Sequence, residues 1–380
     1  MSLITYLTRI QFEAGAIALL REEMDLLGVS RPLIVTDKGI VNAGLVARVL
    51  EKIGDDRECT IFDGTRENPD EESVIEARNL FRLERCDSIV ALGGGSSLDL
   101  AKAVSLLATH PGPLEQYAAI LGGISKITAR KPPVIAIPTT SGTGSEVGRA
   151  ALVTLSDGRK LGFISPHMIP EVAICDPDLT LGLPPYLTAA TGMDAVTHCI
   201  ETYLSPRDNP PAEAIALDGL RRAMRFLRRA FRDGQDRESR KQMMMASLEG
   251  GMTFQKGLGA VHGMSHALGG LKSPRLHHGT LNAVILPSVL RFNRSHAGDK
   301  YNALRIAMDL PENTDLAEAI SGLSADLGLP SNLSQMDVPT DCIPLMIERA
   351  MEDHSTATNA RPVTPSDYEA LFYEAMGGGR

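Results

Sequence analysis

The chain has no CxxC pair, and its five cysteines, at 59, 86, 175, 199 and 342, are odd in number and widely spread. That excludes a disulfide framework and favours a reducing cytoplasm. A basic excess is missing too: 38 Lys and Arg stand against 47 Asp and Glu, a net charge of −9. Nucleic-acid binding normally shows as a basic patch, so that class of partner is set aside. Arg221, Arg222, Arg225, Arg228 and Arg229 do cluster, but Leu220, Met224 and Leu227 interrupt them at helical spacing, as on a solvated helix face. No apolar run approaches about eighteen residues, and the first sixteen, MSLITYLTRIQFEAGA, lack the order of an export signal. There is no internal repeat and no low-complexity tract beyond a short Gly-rich tail at 377–379.

What remains is an ordinary globular composition, 43% hydrophobic and 22% charged over 380 residues, enough for one large domain or two smaller ones. Up to about residue 180, short β-branched runs alternate with helical patterns. Strands are expected at 31–37, 58–64, 86–95 and 132–140, and helices at 41–54, 70–84 and 97–110. Continuous apolar strands between amphipathic helices imply a doubly wound, mostly parallel sheet covered on both faces. After LGLPPYLT (181–188) the β-branched runs fade and Ala, Leu, Met and Arg recur at helical spacing. The expectation is an α/β dinucleotide-binding domain over 1–183 and an all-α domain over 184–380.

Two loops in the first part carry chemistry. GGGSSLDLAK (93–102) follows a buried strand and opens a helix, so glycines permit close approach while free N–H groups point at a phosphate. Ser96 or Ser97 is expected to cap that helix. The spacing is not GxGxxG. PTTSGTGSEV (138–147) offers hydroxyls at the same carboxyl-terminal edge of the sheet, where ligands of open α/β sheets bind. Asp37 ends the first strand, where a carboxylate can accept both ribose hydroxyls and repel a 2′-phosphate, favouring NAD; it also suits a turn in TDKG.

Four of nine histidines crowd into VHGMSHALGGLKSPRLHHG (261–279). His262 and His266 are four apart on one helix, as are Asp194 and His198 in ATGMDAVTHCIETYL, whose other residues are largely apolar. A carboxylate in such surroundings needs a partner. One carboxylate and two or three imidazoles, with His277 and His278 near at hand, make a divalent transition-metal site suited to iron or zinc. Such an ion can lower the pKa of a bound alcohol, whose carbon then gives hydride to a nicotinamide.

Taken in order, GGGSSLDLAK, PTTSGTGSEV, ATGMDAVTHCIE and GAVHGMSHALGG…HHGTLNAVILP resemble the iron-containing (group III) alcohol dehydrogenases across essentially the whole chain. The resemblance implies iron(II), with zinc as the alternative, held by Asp194, His198, His262 and His278 in a cleft beside NAD. His277 ranks second for the last place. His266 is implied to lie near the metal and on the proton path from the substrate oxygen. For the cofactor, the resemblance implies Gly94, Gly95 and Ser96 at the pyrophosphate, with Asp99 in the same motif. Thr139, Thr140 and Thr143 fall on the nicotinamide side, Lys160 at a ribose, and Asp37 at the position that marks NAD users. A homodimer or higher homo-oligomer is implied, and ITYLTRIQFEAG is a candidate edge hairpin between subunits.

Two positions depart from the family pattern. Ser288 stands where many members carry histidine, and Lys256 where small residues are common. Lys256 is expected either to line the cleft and meet an acid group on a short hydroxy acid, or to snorkel to the surface. Two other functions compete with a metal-dependent primary-alcohol dehydrogenase. A maleylacetate reductase-like enzyme would work without metal, against which Asp194 counts. A lyase of the dehydroquinate synthase type would use NAD and zinc.

Overall fold

The computed structural model describes residues 4, 6 and 8–378 and divides the chain into two units. One comprises Tyr6–Thr140 and Ser145–Leu183. The other takes Pro184 onward together with the short segment Ser141–Gly144.

The first unit is built on a parallel sheet of β1 (Arg9–Phe12), β2 (Pro32–Val35), β3 (Thr60–Phe62), β4 (Ser88–Gly93), β5 (Val134–Pro138) and β8 (Val172–Cys175), in the order β1-β8-β5-β4-β2-β3. A separate antiparallel pair, β6 (Ala150–Thr154) and β7 (Lys160–Ile164), completes its strands among the described residues. Successive side chains of a strand point to opposite faces, and the central strands are apolar on both. Leu33, Val35, Ile89, Ala91, Val134 and Ala136 pack into one core. Their neighbours Ile34, Val90, Leu92, Ile135 and Ile137 pack into another. Helices α1 (Leu20–Leu27), α2 (Lys38–Asn42), α3 (Leu45–Ile53), α4 (Glu71–Leu83) and α5 (Gly95–Thr109) accompany the sheet.

Several expectations are corrected here. The helix expected over 41–54 is two, broken at Gly44, whose φ of 74° lies in the left-handed region. The helix expected from residue 97 begins at Gly95, with Gly94 as N-cap and no side-chain cap, so neither Ser96 nor Ser97 caps it. ITYLTRIQFEAG forms no hairpin among its described residues: β1 pairs in parallel with β8 of its own chain, at the sheet edge. Thr5 and Leu7 of that stretch, and Gly379 of the tail, lie outside the described residues.

The second unit is helical: α6 (Pro185–Leu204), α7 (Pro210–Arg232), α8 (Arg237–Met252), α9 (Ala260–Gly269), α10 (His278–Asn293), α11 (Lys300–Ala307), α12 (Leu316–Asp326), α13 (Ile343–Glu352) and α14 (Pro365–Ala375). Helix α6 is buried from Thr188 through Leu204, with α7, α8 and α10 against it. A helix hydrophobic all round belongs in a core. The hydroxyls of Thr191, Thr197 and Thr202 donate back to carbonyls one turn earlier, which lets those residues sit inside without orphaned groups. Arg221, Arg222, Arg228 and Arg229 of α7 form salt bridges, Arg222 to Asp218 and Arg228 to Asp326 among them. No described helix is long and apolar enough to cross a membrane.

Candidate metal centre

Asp194 and His198 stand one turn apart on buried α6, where carboxylate and ring can share a face. His262 comes from α9 and His278 from the first turn of α10. Three ring nitrogens surround a single carboxylate oxygen: Asp194 Oδ1 is 3.5 Å from His198 Nε2, 3.8 Å from His262 Nε2 and 3.7 Å from His278 Nε2. The donor atoms of Asp194, His262 and His278 all lie within 4.8 Å of one another, and the rings of His198 and His262 stack at 4.7 Å. Tetrahedral zinc with bonds of about 2.0–2.1 Å needs donors about 3.3 Å apart, so the Asp194 separations are within about half an ångström of that geometry.

The remote nitrogens of the His198 and His262 rings are anchored. Nδ1 of His198 bonds the Gly142 carbonyl at 3.1 Å, and Nδ1 of His262 meets Glu201 Oε2 at 2.5 Å. A backbone carbonyl can only accept, so His198 Nδ1 carries the proton and Nε2 keeps its lone pair for an ion. Burial pushes the His198 pKa down to about 4, against the pull of Asp194, which keeps the ring neutral as a ligand must be. Burial works the same way on His262, but the Glu201 carboxylate outweighs it and raises that pKa; a divalent ion at Nε2 would replace the extra proton. Asn282 sends its amide nitrogen to Asp194 Oδ1 at 2.7 Å and comes within 3.2 Å of His262 Nε2 and of His278 Nε2, while its own Oδ1 is buried without a hydrogen-bond partner. One oxygen and three nitrogen donors, all buried but half-buried His278 and with the His198 and His262 rings pre-oriented by neighbours, fit iron or zinc.

Neither Glu201 nor Asn282 was among the residues anticipated. The signal for Glu201 was present, since Asp194, His198 and Glu201 repeat at i, i+4 and i+7 on one helix. His277 does not join the donors. It is the N-cap of α10, its ring edge-on to Tyr186 at 6.3 Å and its Nδ1 3.4 Å from Thr280 Oγ1. His266 stacks on His278 at 5.4 Å and bonds Asp353 Oδ2 through Nδ1 at 3.0 Å.

Gly142 is shaped by close approach: a Cβ there would lie 2.5 Å from the Thr191 carbonyl oxygen. Lacking one, the segment Ser141–Gly144 lies against α6 and delivers its carbonyl to His198.

Lys256 does neither thing anticipated of it. Its side chain is fully buried, donating to Glu213 Oε1 at 2.5 Å, and Lys300 reaches the same oxygen at 2.9 Å. The positive charge is spent inside the helical unit.

In the sheet unit, the loops after β4 and β5 are neighbours, since a Cβ on Gly94 would touch the Thr140 side chain at 3.3 Å. Gly95 and Ser96 open α5, whose first turn has no side-chain cap. The buried hydroxyls of Ser97 and Thr139 have no hydrogen-bond partner among the described residues, which suits a polar ligand at this edge. Asp37 caps α2 through Oδ1, accepting from Ile40 N at 3.0 Å, while its Oδ2 lies beside Gly93. Asp99 is engaged internally, accepting from Ser145 Oγ at 2.6 Å and Leu152 N at 3.0 Å. Buried Lys102, from the same motif, donates to Ser145 Oγ and to the carbonyls of Gly148 and Ala150. Asp99 and Lys102 thus brace the Ser145–Leu152 segment. Lys160, on β7, donates to Asn68 Oδ1 at 2.8 Å, and Thr143 lies half-buried in Ser141–Gly144.

Residues 8–177 match the family model for iron-containing alcohol dehydrogenase, and residues 188–376 the model for the C-terminal part of the Fe-containing alcohol dehydrogenase family. The 4-hydroxybutyrate dehydrogenase of Cupriavidus necator is 51% identical, covering 99% of this chain and 100% of that one. The 1,3-propanediol dehydrogenase of Klebsiella pneumoniae is 39% identical over 96% of each. The crystal structure of a 1,3-propanediol oxidoreductase superposes with a TM-score of 0.92 at 38% identity, covering 98% of this chain and 100% of that one.

Proposed function

This chain belongs to the iron-containing alcohol dehydrogenases, NAD-linked and metal-dependent alcohol/aldehyde oxidoreductases, and from that footing we propose that its substrate is a short hydroxy acid, oxidised at a terminal hydroxyl to the semialdehyde. The observation that carries the substrate is the 51% identity with a 4-hydroxybutyrate dehydrogenase over the full length of both chains. Lys256 is committed to Glu213 and contributes nothing to this reading.

In the proposed assignment Asp194, His198, His262 and His278 hold the ion, iron(II) by preference and zinc as the alternative. Gly142 and Glu201 keep the His198 and His262 rings turned toward it. When bound, the ion supplies Lewis acidity that lowers the pKa of the substrate hydroxyl, and the nicotinamide supplies the hydride acceptor. His266, oriented through Nδ1 by Asp353, carries the released proton onward. For NAD, the open first turn of α5 at Gly94, Gly95 and Ser96 receives the pyrophosphate, Thr139, Thr140 and Thr143 serve the nicotinamide side, and Asp37 and Lys160 serve ribose hydroxyls. Asp99 acts through the segment it braces.

We also propose a cytoplasmic location, supported by five cysteines that are all free, and a homodimer or larger homo-oligomer, supported by the place of β1 at the edge of the sheet of described strands.

The test is NADH formation, followed by absorbance, with 4-hydroxybutyrate and 1,3-propanediol compared under anaerobic iron(II). A kcat/KM at least about tenfold higher for the acid supports the proposal. Preference for the diol would overturn the substrate, and turnover by metal-free Asp194→Ala protein would overturn the ligand set.

A further inference from the structure

Outside the four donors above, a second group of metal-ligating side chains stands beside His266. Asp353 ends α13 as its C-cap, and His354 follows it. One ligand atom from each of His266, Asp353 and His354 lies within 4.8 Å of the others. The three are arranged as a ladder from inside to outside. His266 is 4% exposed and Asp353 8%, while His354 is 27% exposed. The rings of His266 and His354 stack at 5.8 Å with 20° between their planes, and Asp353 bridges them, Oδ2 to His266 Nδ1 at 3.0 Å and Oδ1 near His354 Nδ1 at 3.6 Å. Ser355 N donates to Asp353 Oδ1 at 2.8 Å, which fixes the carboxylate in place.

We propose that His266, Asp353 and His354 form a second, inhibitory cation site, selective for borderline divalent ions such as Zn2+, reached from solvent past His354. Two imidazoles and one carboxylate form a familiar zinc donor set with a fourth position left for water. Hard ions such as Mg2+ and Ca2+ prefer sites made wholly of oxygen and are excluded. With three protein donors where the Asp194 set has four, the site binds more weakly and fills only at higher zinc. An ion there would engage the His266 ring and the Asp353 carboxylate that now hold each other. The inhibition therefore rests on the proposed proton-carrying role of His266, whereas the binding does not.

Protein loaded with one equivalent of iron is titrated anaerobically with ZnCl2 by calorimetry, and its iron and zinc are counted after equilibrium dialysis at the same free zinc. The expected result is one zinc bound per chain with iron retained, and reversible loss of activity over the same zinc range. His354→Leu should keep its iron and its zinc-free activity while weakening zinc binding and inhibition by about tenfold or more, the least that losing a ligand should cost. His354→Gln, closer in size and polarity, repeats the measurement and guards against a packing defect. Equal zinc affinity in both variants and the parent would overturn the proposal. So would zinc uptake matched one for one by iron loss, which would place the zinc at Asp194. Zinc counting needs no turnover, so failure of the hydroxy-acid reading leaves this outcome legible.

Discussion

The carboxylate of Glu201 and the imidazole of His262 meet at 2.5 Å, both nearly fully buried, and Glu201 also accepts from Val261 N at 2.8 Å. One acidic side chain thus grips both the opening turn of α9 and the ring that α9 presents to the ion. Glu201→Gln keeps an acceptor for the ring but removes the charge, and Glu201→Leu removes both. We expect the ion's dissociation constant to rise about 10-fold in the first and toward 100-fold in the second. Chelator competition read by metal analysis checks this; unchanged affinity in the Leu variant would show that Glu201 is only packing.

Gly142→Ala tests the second anchor. The added methyl would press on the Thr191 carbonyl and push the segment away from α6. Overpacking of this kind costs about 1–3 kcal/mol. Iron retained after desalting should fall along with the melting temperature, and an alanine variant with full iron content would show that the Gly142 carbonyl is dispensable.

Lys256→Met should leave the ratio of activities toward anionic and neutral alcohols as it is in the parent, because the ammonium is consumed by Glu213. Stability should change little, since Lys300 still neutralises Glu213. Glu213→Ala is the harsher change: it strands a fully buried lysine beside a second one, at about 3–5 kcal/mol. Chemical denaturation of the two variants gives the comparison, and selective loss of turnover on anionic substrates in Lys256→Met would contradict the burial argument.

Alkaline pH should find a weak point between α7 and α8. Burial raises the Glu249 pKa to about 8, with Arg222 pulling it down and Asp218 pushing it up. Between about pH 4.5 and 8 the folded chain keeps a proton that the unfolded chain has released, so this group's contribution is whole in acid and lost as pH rises through 8. Glu249→Gln should match the parent in stability near pH 4 and exceed it by a margin that grows until about pH 8 and then levels off, reaching at least on the order of 1–2 kcal/mol. Parallel melting curves from pH 6 to 9 would refute the shift.

The parts legible in the sequence were those with a repeating signal. Apolar runs such as CDSIVALGGG and PPVIAIPTT announced β4 and β5 because a strand buried on both faces has no polar positions to blur it. Strand β8 passed unnoticed, being four residues long, and β1 was read only as part of an edge hairpin, since RIQF mixes charge with apolar side chains. The proposed metal donors stood out because histidine is scarce and Asp194 and His198 share a helical turn. What periodicity could not supply was contact between remote segments. Nothing in FQKGLGAVH says that Lys256 faces Glu213, and nothing in DLAK says that Lys102 ties down the carbonyls of Gly148 and Ala150.

The four residues Ser141–Gly144 lie some forty positions upstream of Pro184, yet they group with the helices and hold His198. A gene fragment starting at Pro184 would therefore encode all four proposed donors and still lack one of their fasteners. Grafting this centre onto another scaffold would require a discontinuous transplant, with a short peptide supplied from elsewhere to hold the imidazole in place.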